Sequence, residues 1–133
     1  EYKRQVQDCG NSLNENIDIG QIDGGFIQGL GWLTCEELCF SKEGKLLTTG
    51  PSTYKLPGSR DIPQIFNVKL LEKADNEEKT IFRSKAVGEP PLLLAISHFL
   101  ALKEAIRASS TNSKPELLNS PATPSEILRV LKV

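Results

Sequence analysis

Apolar residues recur at intervals of three and four from Gln21 onward, which predicts an amphipathic helix that ends near Glu37. The apolar positions are Ile22, Phe26, Ile27, Leu30, Leu33 and Leu38. Within the same stretch stand four glycines, Gly24, Gly25, Gly29 and Gly31. A glycine in a helix interior costs about 1 kcal/mol relative to alanine. We therefore expect a close-packed neighbour, or a ligand that touches the backbone, to offset this cost.

A second apolar run begins at Pro90 and Pro91 and continues to Leu102, after which polar residues dominate. Proline suits the first turn of a helix because its missing N–H would have no partner there. A helix that is apolar nearly all round is typical of a buried element. The pattern predicts a long buried helix after the Val-Gly-Glu-Pro-Pro sequence, reaching the surface only at its end.

The remaining elements are predicted to be short strands and loops. Alternation is clearest at 65–72, where Phe66, Val68 and Leu70 would share one face. The other predicted strands are 2–9, 38–40, 45–49 and 80–83. Ser, Asn and Pro enrich residues 109–121, which predicts a flexible connection, and Thr123 before Pro124 predicts the N-cap of a terminal helix over 122–133. The class is α+β, with a small, mostly antiparallel sheet.

Composition narrows the functional classes. The 133 residues suffice for one domain, and 16 basic against 17 acidic residues give no basic stripe for nucleic acid. The longest apolar run is too short to span a membrane. Three cysteines, an odd number, favour a reducing compartment, and we expect a cytoplasmic protein. Since the chain contains no methionine, we expect it to be a piece of something longer.

Glu89 is the most informative single residue, because it lies between Gly88 and a proline pair at the predicted start of a helix. One interpretation is a positioned carboxylate that accepts a proton as a general base. The other is an acid that caps the helix, which is a common role for such a residue. From the residues alone the capping role is favoured and the catalytic one stays open.

The glycine-dense segment 20–31 also has two interpretations. It could bring bare backbone and a helix N-terminus against an anionic cofactor, or it could serve tight helix packing through small residues. The spacing is not that of a dinucleotide-binding loop. Cys35 and Cys39, four apart, lack the further ligands of a metal site, so we interpret all three cysteines as small buried residues and His98 as a core histidine. No metal-ligating residue is predicted in this chain.

Five motifs, spread over about residues 6–108, carry a family resemblance. They are Ser12-Leu13-Asn14, the segment 18–26 (Asp-Ile-Gly-Gln-Ile-Asp-Gly-Gly-Phe), the segment 29–38, the segment 50–57 (Gly-Pro-Ser-Thr-Tyr-Lys-Leu-Pro), and Lys85-Ala86-Val87-Gly88-Glu89-Pro90-Pro91. In this order they resemble the C-terminal part of the molybdenum-binding subunit of the xanthine dehydrogenase and aldehyde oxidase family. Trp32 and its neighbours, with the segment 51–55, look more like the purine-oxidising branch than the aldehyde-oxidising one.

The resemblance implies the chemistry of a molybdenum hydroxylase. Members of the family hydroxylate a carbon next to nitrogen, or an aldehyde carbon, with oxygen from water. Glu89 corresponds to their base, which accepts a proton from the attacking hydroxyl. Gln21 corresponds to a glutamine beside the molybdenum–molybdopterin cofactor, and Gly88 to a position next to the metal where a side chain would clash. The resemblance thus reverses the order of the two interpretations of Glu89.

The same resemblance implies what residues 1–133 do not contain. Most cofactor-binding loops and substrate-recognising residues of the family lie upstream, and the 2Fe-2S clusters and FAD belong to other domains or subunits of an oligomeric enzyme. We therefore expect residues 1–133 to be a C-terminal segment of a molybdopterin-binding catalytic domain, inactive by itself. A non-catalytic structural or assembly module is the alternative from another class, and a degenerate relative is a third.

Overall fold

A computed structural model describes residues 2–109 and 111–131 of the protein. Among these residues the elements are β1 (Tyr2–Gln7), α1 (Glu15–Thr34), β2 (Ile65–Leu70), α2 (Pro90–Leu93), α3 (Ile96–Ser109) and α4 (Pro124–Leu131), with 3₁₀ turns at Ile81–Arg83 and Pro115–Leu117. The α+β class predicted from the sequence is confirmed. No helix in the described part of the chain is both long and apolar enough to cross a membrane.

The chain divides into two compact units. The first comprises Glu1–Gln28 with Gly58–Leu94, and the second comprises Gly29–Pro57 with Ala95–Val133. Helix α1 contributes residues to both units.

The sheet of the first unit is parallel, so the prediction of a mostly antiparallel sheet is wrong. Strands β1 and β2 pair from Tyr2 opposite Ile65 to Gln7 opposite Leu70. Because α1 lies between the two strands in the chain, it provides the long crossover that parallel pairing requires. The alternation predicted for β2 is confirmed, since Phe66, Val68 and Leu70 are half-buried and the residues between them are exposed.

Two other predicted strand regions have different structures. In the second unit, the segments 38–40 and 45–49 form no strand pair; they meet in an isolated antiparallel bridge between Phe40 and Leu46, and the Cys39 N–H also donates to Thr48 Oγ1 at 3.2 Å. In the first unit, the predicted strand 80–83 is wrong, because Ile81–Arg83 forms a 3₁₀ turn. Phe82 and Arg83 have φ values of 50° and 56°, and this left-handed backbone is incompatible with an extended strand.

Helix α1 begins earlier and ends earlier than predicted. The apolar spacing predicts a start at Gln21, but the Asn14 side chain accepts a hydrogen bond from the Ile17 N–H at 3.2 Å and so caps a helix that begins at Glu15. Glu15 and Asp18 in the first turn suit the positive end of the helix dipole. The Ser12 hydroxyl donates to Asp18 at 2.6 Å, so the Ser12-Leu13-Asn14 motif organises the start of α1.

The long buried helix predicted after Val-Gly-Glu-Pro-Pro is interrupted and only partly buried. Helix α2 is one turn, and the Leu94 N–H bonds to the Pro91 carbonyl three residues back, at 3.2 Å. A new helix then starts, with the Ala95 carbonyl accepting from Phe99. Within α3 only Ile106 is fully buried, and Leu100 is 55% exposed. The prediction of a long buried helix is wrong because a continuous apolar run does not indicate which neighbouring elements are present to cover it.

Each unit has its own apolar cluster. In the first unit, Cys9, Ile22 and Val87 pack with Val68 and Leu70 of β2. In the second unit, the buried members of the cluster come from α3, α4 and the segment between them, and they are Ile106, Leu118, Ala122 and Val130. The predicted connection 109–121 thus contains a 3₁₀ turn and a buried leucine. Ser110 of that connection, and Lys132 and Val133 of the predicted terminal helix, lie outside the described residues.

Candidate functional site

Glu89 lies immediately before α2 in the first unit. Its backbone is already helical, with φ −85° and ψ −36°, and its carbonyl accepts the Leu92 N–H at 3.0 Å. The side chain makes no capping hydrogen bond to the helix that follows, and within residues 2–109 and 111–131 it has no polar partner. The residue is exposed. Its carboxylate is therefore available to a group outside the described part of the chain.

Gly25 explains how α1 approaches the segment that carries Glu89. A Cβ built on Gly25 would lie 3.1 Å from Pro91 Cβ and 3.4 Å from both the Gly88 carbonyl oxygen and the Leu92 nitrogen. The first distance is tighter than an ordinary carbon–carbon contact and the other two are at its lower limit, so α1 lies closest to Pro91 where Gly25 has no side chain. Packing against Pro91 thereby offsets the cost of Gly25 in the helix, in line with the expectation of a close-packed neighbour. In the second unit, a Cβ on Gly31 would lie 2.7 Å from Pro57 Cγ.

Gln21, one turn before Gly25 on α1, lies beside Gly88. A Cβ built on Gly88 would lie 3.7 Å from Gln21 Oε1, and, apart from the two residues flanking Gly88, no other described residue would be within 4 Å. Gln21 is exposed, and its carboxamide has no hydrogen-bond partner among the described residues. The structure therefore brings the three predicted site residues, Gln21, Gly88 and Glu89, into one neighbourhood of the first unit.

An ion pair between two residues distant in sequence holds the segment before Glu89. Lys85 Nζ forms an ion pair with Asp8 Oδ2 at 2.5 Å. The hydrogen bonds from Lys85 and from the Gly10 N–H lower the pKa of Asp8. Lys85 belongs to one of the five motifs, but its partner is 77 residues away in the chain, so no local pattern could indicate the pair.

A second charged group of the first unit lies between aromatic rings. Lys3 Nζ is 3.6 Å from the centroid of the Phe26 ring and 4.6 Å from that of Phe66. Burial lowers the pKa of Lys3 to about 8, and the nearby Asp23 carboxylate partly opposes this. Burial raises the pKa of Asp23, whose Oδ1 is buried without a hydrogen bond. The sequence carried no signal for this cluster, because its members come from β1, α1 and β2.

The cysteines and His98 differ in their burial. Cys9 is buried in the first unit, where burial raises the pKa of its thiol, whereas Cys35 and Cys39 are only half-buried. Those two do not share a helix face, because α1 ends at Thr34. His98 lies half-buried on α3. Among the described residues, no three His, Cys, Asp or Glu side chains are grouped as metal ligands.

Two further motifs meet in the second unit. The Tyr54 hydroxyl, in the Gly-Pro-Ser-Thr-Tyr-Lys-Leu-Pro segment, donates a 2.6 Å hydrogen bond to Glu36 Oε2 just after α1. This bond raises the pKa of Tyr54. Within the loop, the Thr53 and Tyr54 N–H groups both bond to the Gly50 carbonyl. The two motifs thus stabilise one loop structure, and the contact involves none of the predicted site residues.

Sequence comparison finds relatives of this chain. Residues 4–63 match the family model described as a molybdopterin cofactor-binding domain. The xanthine dehydrogenase/oxidase of Felis catus is 55% identical over 128 residues, which cover 92% of this chain and 10% of that protein. For the same enzyme of Mus musculus the identity is 54% over 128 residues, with 92% and 10% covered. The chain spans about a tenth of the length of the curated relatives it matches.

A solved structure shows the same fold. Quinoline 2-oxidoreductase from Pseudomonas putida 86 matches with a TM-score of 0.81 and 27% identity, covering 97% of this chain and 16% of that one. Fold and sequence together define part of a molybdopterin cofactor-binding domain. The resemblance predicted from the motifs is confirmed, and the chain belongs to the xanthine dehydrogenase and aldehyde oxidase family.

Proposed function

We propose that this chain supplies the base-bearing wall of a molybdenum hydroxylase active site, with Glu89 as the general base. The observation that carries the proposal is the carboxylate of Glu89, which caps no helix and directly follows Gly88, the residue that lies beside Gln21. If Glu89 were a capping acid, its side chain would bond to the helix N-terminus, and it does not. An exposed carboxylate on a segment held by close packing is suited to accept a proton from a group that binds next to it.

The residues around Glu89 suit a cofactor that approaches closely. Apart from the two residues flanking Gly88, a methyl group placed on its Cα would have only the Gln21 oxygen within 4 Å among the described residues, so the space beside Gly88 is open. The Gln21 carboxamide can both donate and accept hydrogen bonds, as a pterin or an oxygen ligand requires. Gln21 and Gly88 would therefore hold the molybdenum–molybdopterin group. When bound, that group would supply the two-electron oxidation of the substrate.

The overall reaction sets what the rest of the enzyme must provide. A substrate C–H bond and a water molecule become a C–OH group, two protons and two electrons. Glu89 would accept one of the protons at a carboxylate oxygen, and 2Fe-2S centres and FAD elsewhere in the enzyme would accept the electrons. A purine such as hypoxanthine or xanthine is the substrate we propose, since the relatives at 55% and 54% identity are xanthine dehydrogenase/oxidases. An aldehyde is the alternative substrate class.

The chain would act only within a larger protein, because its relatives are about ten times as long. We propose that the remainder of the molybdenum domain completes the cofactor and substrate sites. The first unit leaves large apolar side chains exposed, including Phe82 at 72% and Leu93 at 63%. A larger assembly would cover such side chains. The same exposure supports the second candidate, a module that contributes to assembly and not to catalysis.

The test is Glu89→Gln in the complete cofactor-loaded enzyme, with Glu77→Gln as the matched control. Glu77 is an exposed acid of the first unit outside the site. Loss of general-base catalysis should lower kcat by about 10²- to 10⁴-fold. Molybdenum and pterin content should be unchanged, and the control should keep its activity. Purine and aldehyde substrates would be assayed in parallel.

The outcomes separate the candidates. Retention of most turnover by Glu89→Gln would show that Glu89 is not the base and would favour the assembly module. A parallel loss of cofactor would show that Glu89 is a binding residue. Turnover of the aldehyde without turnover of the purine in the unmodified enzyme would contradict the proposed substrate class.

A further inference from the structure

The carboxylate of Asp8 connects the end of β1 to the segment that leads to Glu89. Its Oδ1 accepts the Gly10 N–H at 2.9 Å, and its Oδ2 accepts the Lys85 ammonium at 2.5 Å. The Asp8 side chain is 39% exposed and the Lys85 side chain 35% exposed, so solvent only partly screens the attraction between their charges. One carboxylate thus bonds to two parts of the chain that are far apart in sequence.

Backbone hydrogen bonds pair the same two parts. The Lys85 N–H donates to the Cys9 carbonyl at 2.8 Å, and the Asn11 N–H donates to the Arg83 carbonyl at 3.1 Å. Gly10 has a φ of +63°, and a Cβ there would overlap the Arg83 carbonyl oxygen. The pairing therefore depends on a glycine at position 10 and places Lys85 beside Asp8.

Glu89 follows Lys85 by four residues, which span at most about 14 Å even when extended. Within this stretch Val87 is buried against Cys9 and Ile22. Gly88 is then placed against α1 through Gly25. A displacement of Lys85 would consequently be transmitted to Glu89, because the short segment between them is packed and has little slack.

We propose that Asp8 and Lys85 are positioning residues for Glu89, and that their ion pair sets where the Glu89 carboxylate stands relative to Gln21. The inference rests on the proposed function, in which Glu89 is the base. Neither side chain would touch the substrate or the cofactor. Their effect would be on the geometry of proton transfer, where a misplacement of about 1 Å can cost about 10²-fold in rate.

The test uses Asp8→Asn and Lys85→Met in the complete cofactor-loaded enzyme, with Glu104→Gln as control. Glu104 forms an exposed ion pair with Arg107 on α3, in the second unit. We expect each test variant to lower kcat tenfold or more, with KM changed less than twofold and cofactor content unchanged. The double variant should be no more than twofold slower than the slower single one, since both changes break one interaction. Lys85→Arg should keep at least half the kcat.

Hydrogen exchange provides a readout that does not depend on turnover. The amides of residues 85–89 should exchange faster in Asp8→Asn and Lys85→Met than in the unmodified enzyme or in the control, with or without cofactor. Unchanged exchange in this segment would overturn the inference. So would a fall in kcat that merely parallels loss of cofactor or of thermal stability, because that pattern indicates a general structural role.

Glu89→Gln, measured beside these variants, separates the two proposals. If Glu89→Gln abolishes turnover while Lys85→Met keeps kcat within twofold, the positioning inference fails and the proposed function stands. If Glu89→Gln itself retains turnover, the proposed function fails and the inference fails with it.

Discussion

Two adjacent glycines of α1 provide a controlled test of how the helix places the segment that carries Glu89. A Cβ on Gly25 would lie 3.1 Å from Pro91 Cβ, whereas a Cβ on Gly24 would meet nothing within 4 Å among the described residues beyond its chain neighbours and the adjacent helix backbone. The substitutions Gly24→Ala and Gly25→Ala add the same methyl group to the same helix. Any difference between them therefore reports the packing of Gly25 against the start of α2.

The expected magnitudes follow from two opposing effects. Alanine favours a helix interior over glycine by about 1 kcal/mol, and both variants gain this. Carbon contacts are optimal at about 3.5–4.0 Å, so Pro91 would have to recede by about 0.4 Å or more in Gly25→Ala. Overpacking of this kind costs about 1–3 kcal/mol. Gly24→Ala should then be more stable than the unmodified chain by about 1 kcal/mol, and Gly25→Ala less stable than Gly24→Ala by about 1–3 kcal/mol.

Urea unfolding of the 133-residue chain, followed by circular dichroism, measures the free energy of unfolding for all three proteins. In the complete enzyme, Gly25→Ala should also lower kcat, because the displaced Pro91 moves Glu89, while Gly24→Ala should not. Equal unfolding free energies for the two variants would refute the reasoning, since they would show that the Gly25 contact is not tight.

The remaining predictions concern Gly88 and Glu126. A Cβ at Gly88 would make only an ordinary 3.7 Å contact, so Gly88→Ala should change the free energy of unfolding by less than about 0.5 kcal/mol. The same variant should lower turnover of the loaded enzyme by about 10²-fold, and unchanged turnover would exclude a cofactor next to Gly88. Hydrogen bonds from Arg129, then from the Asn119 N–H, lower the pKa of Glu126 from 4.5 to about 2. Ionised Glu126 therefore stabilises the fold fully above pH 4.5, and this stabilisation is lost as the pH falls toward 2. Glu126→Gln should flatten the pH dependence of the free energy of unfolding in that range, and an unaltered pH profile would contradict this prediction.

The elements that the sequence predicted correctly are those whose signal is local. Alternation alone identified the buried face of β2, and the spacing of apolar residues identified most of α1. The wrong predictions concern features that depend on parts of the chain distant in sequence. Strand direction depends on the crossover between β1 and β2, and burial of α3 depends on which neighbours cover it.

The candidate site likewise has features that the sequence predicted and features that only the tertiary structure shows. Motif resemblance selected Gln21, Gly88 and Glu89 from the sequence, because chemistry requires particular residue types in particular order. Only the tertiary structure showed that they share one neighbourhood, since Gln21 and Gly88 are on separate elements joined through Gly25.

By itself, then, the sequence determined the class of fold and the family, and it singled out Glu89 as the candidate base. The tertiary structure decided that this acid caps nothing and that Asp8 holds the segment before it through Lys85. The physical reason is the range of the interactions. Periodicity and motifs reflect neighbours within a few residues, whereas the ion pair and the glycine contact join positions that only folding brings together.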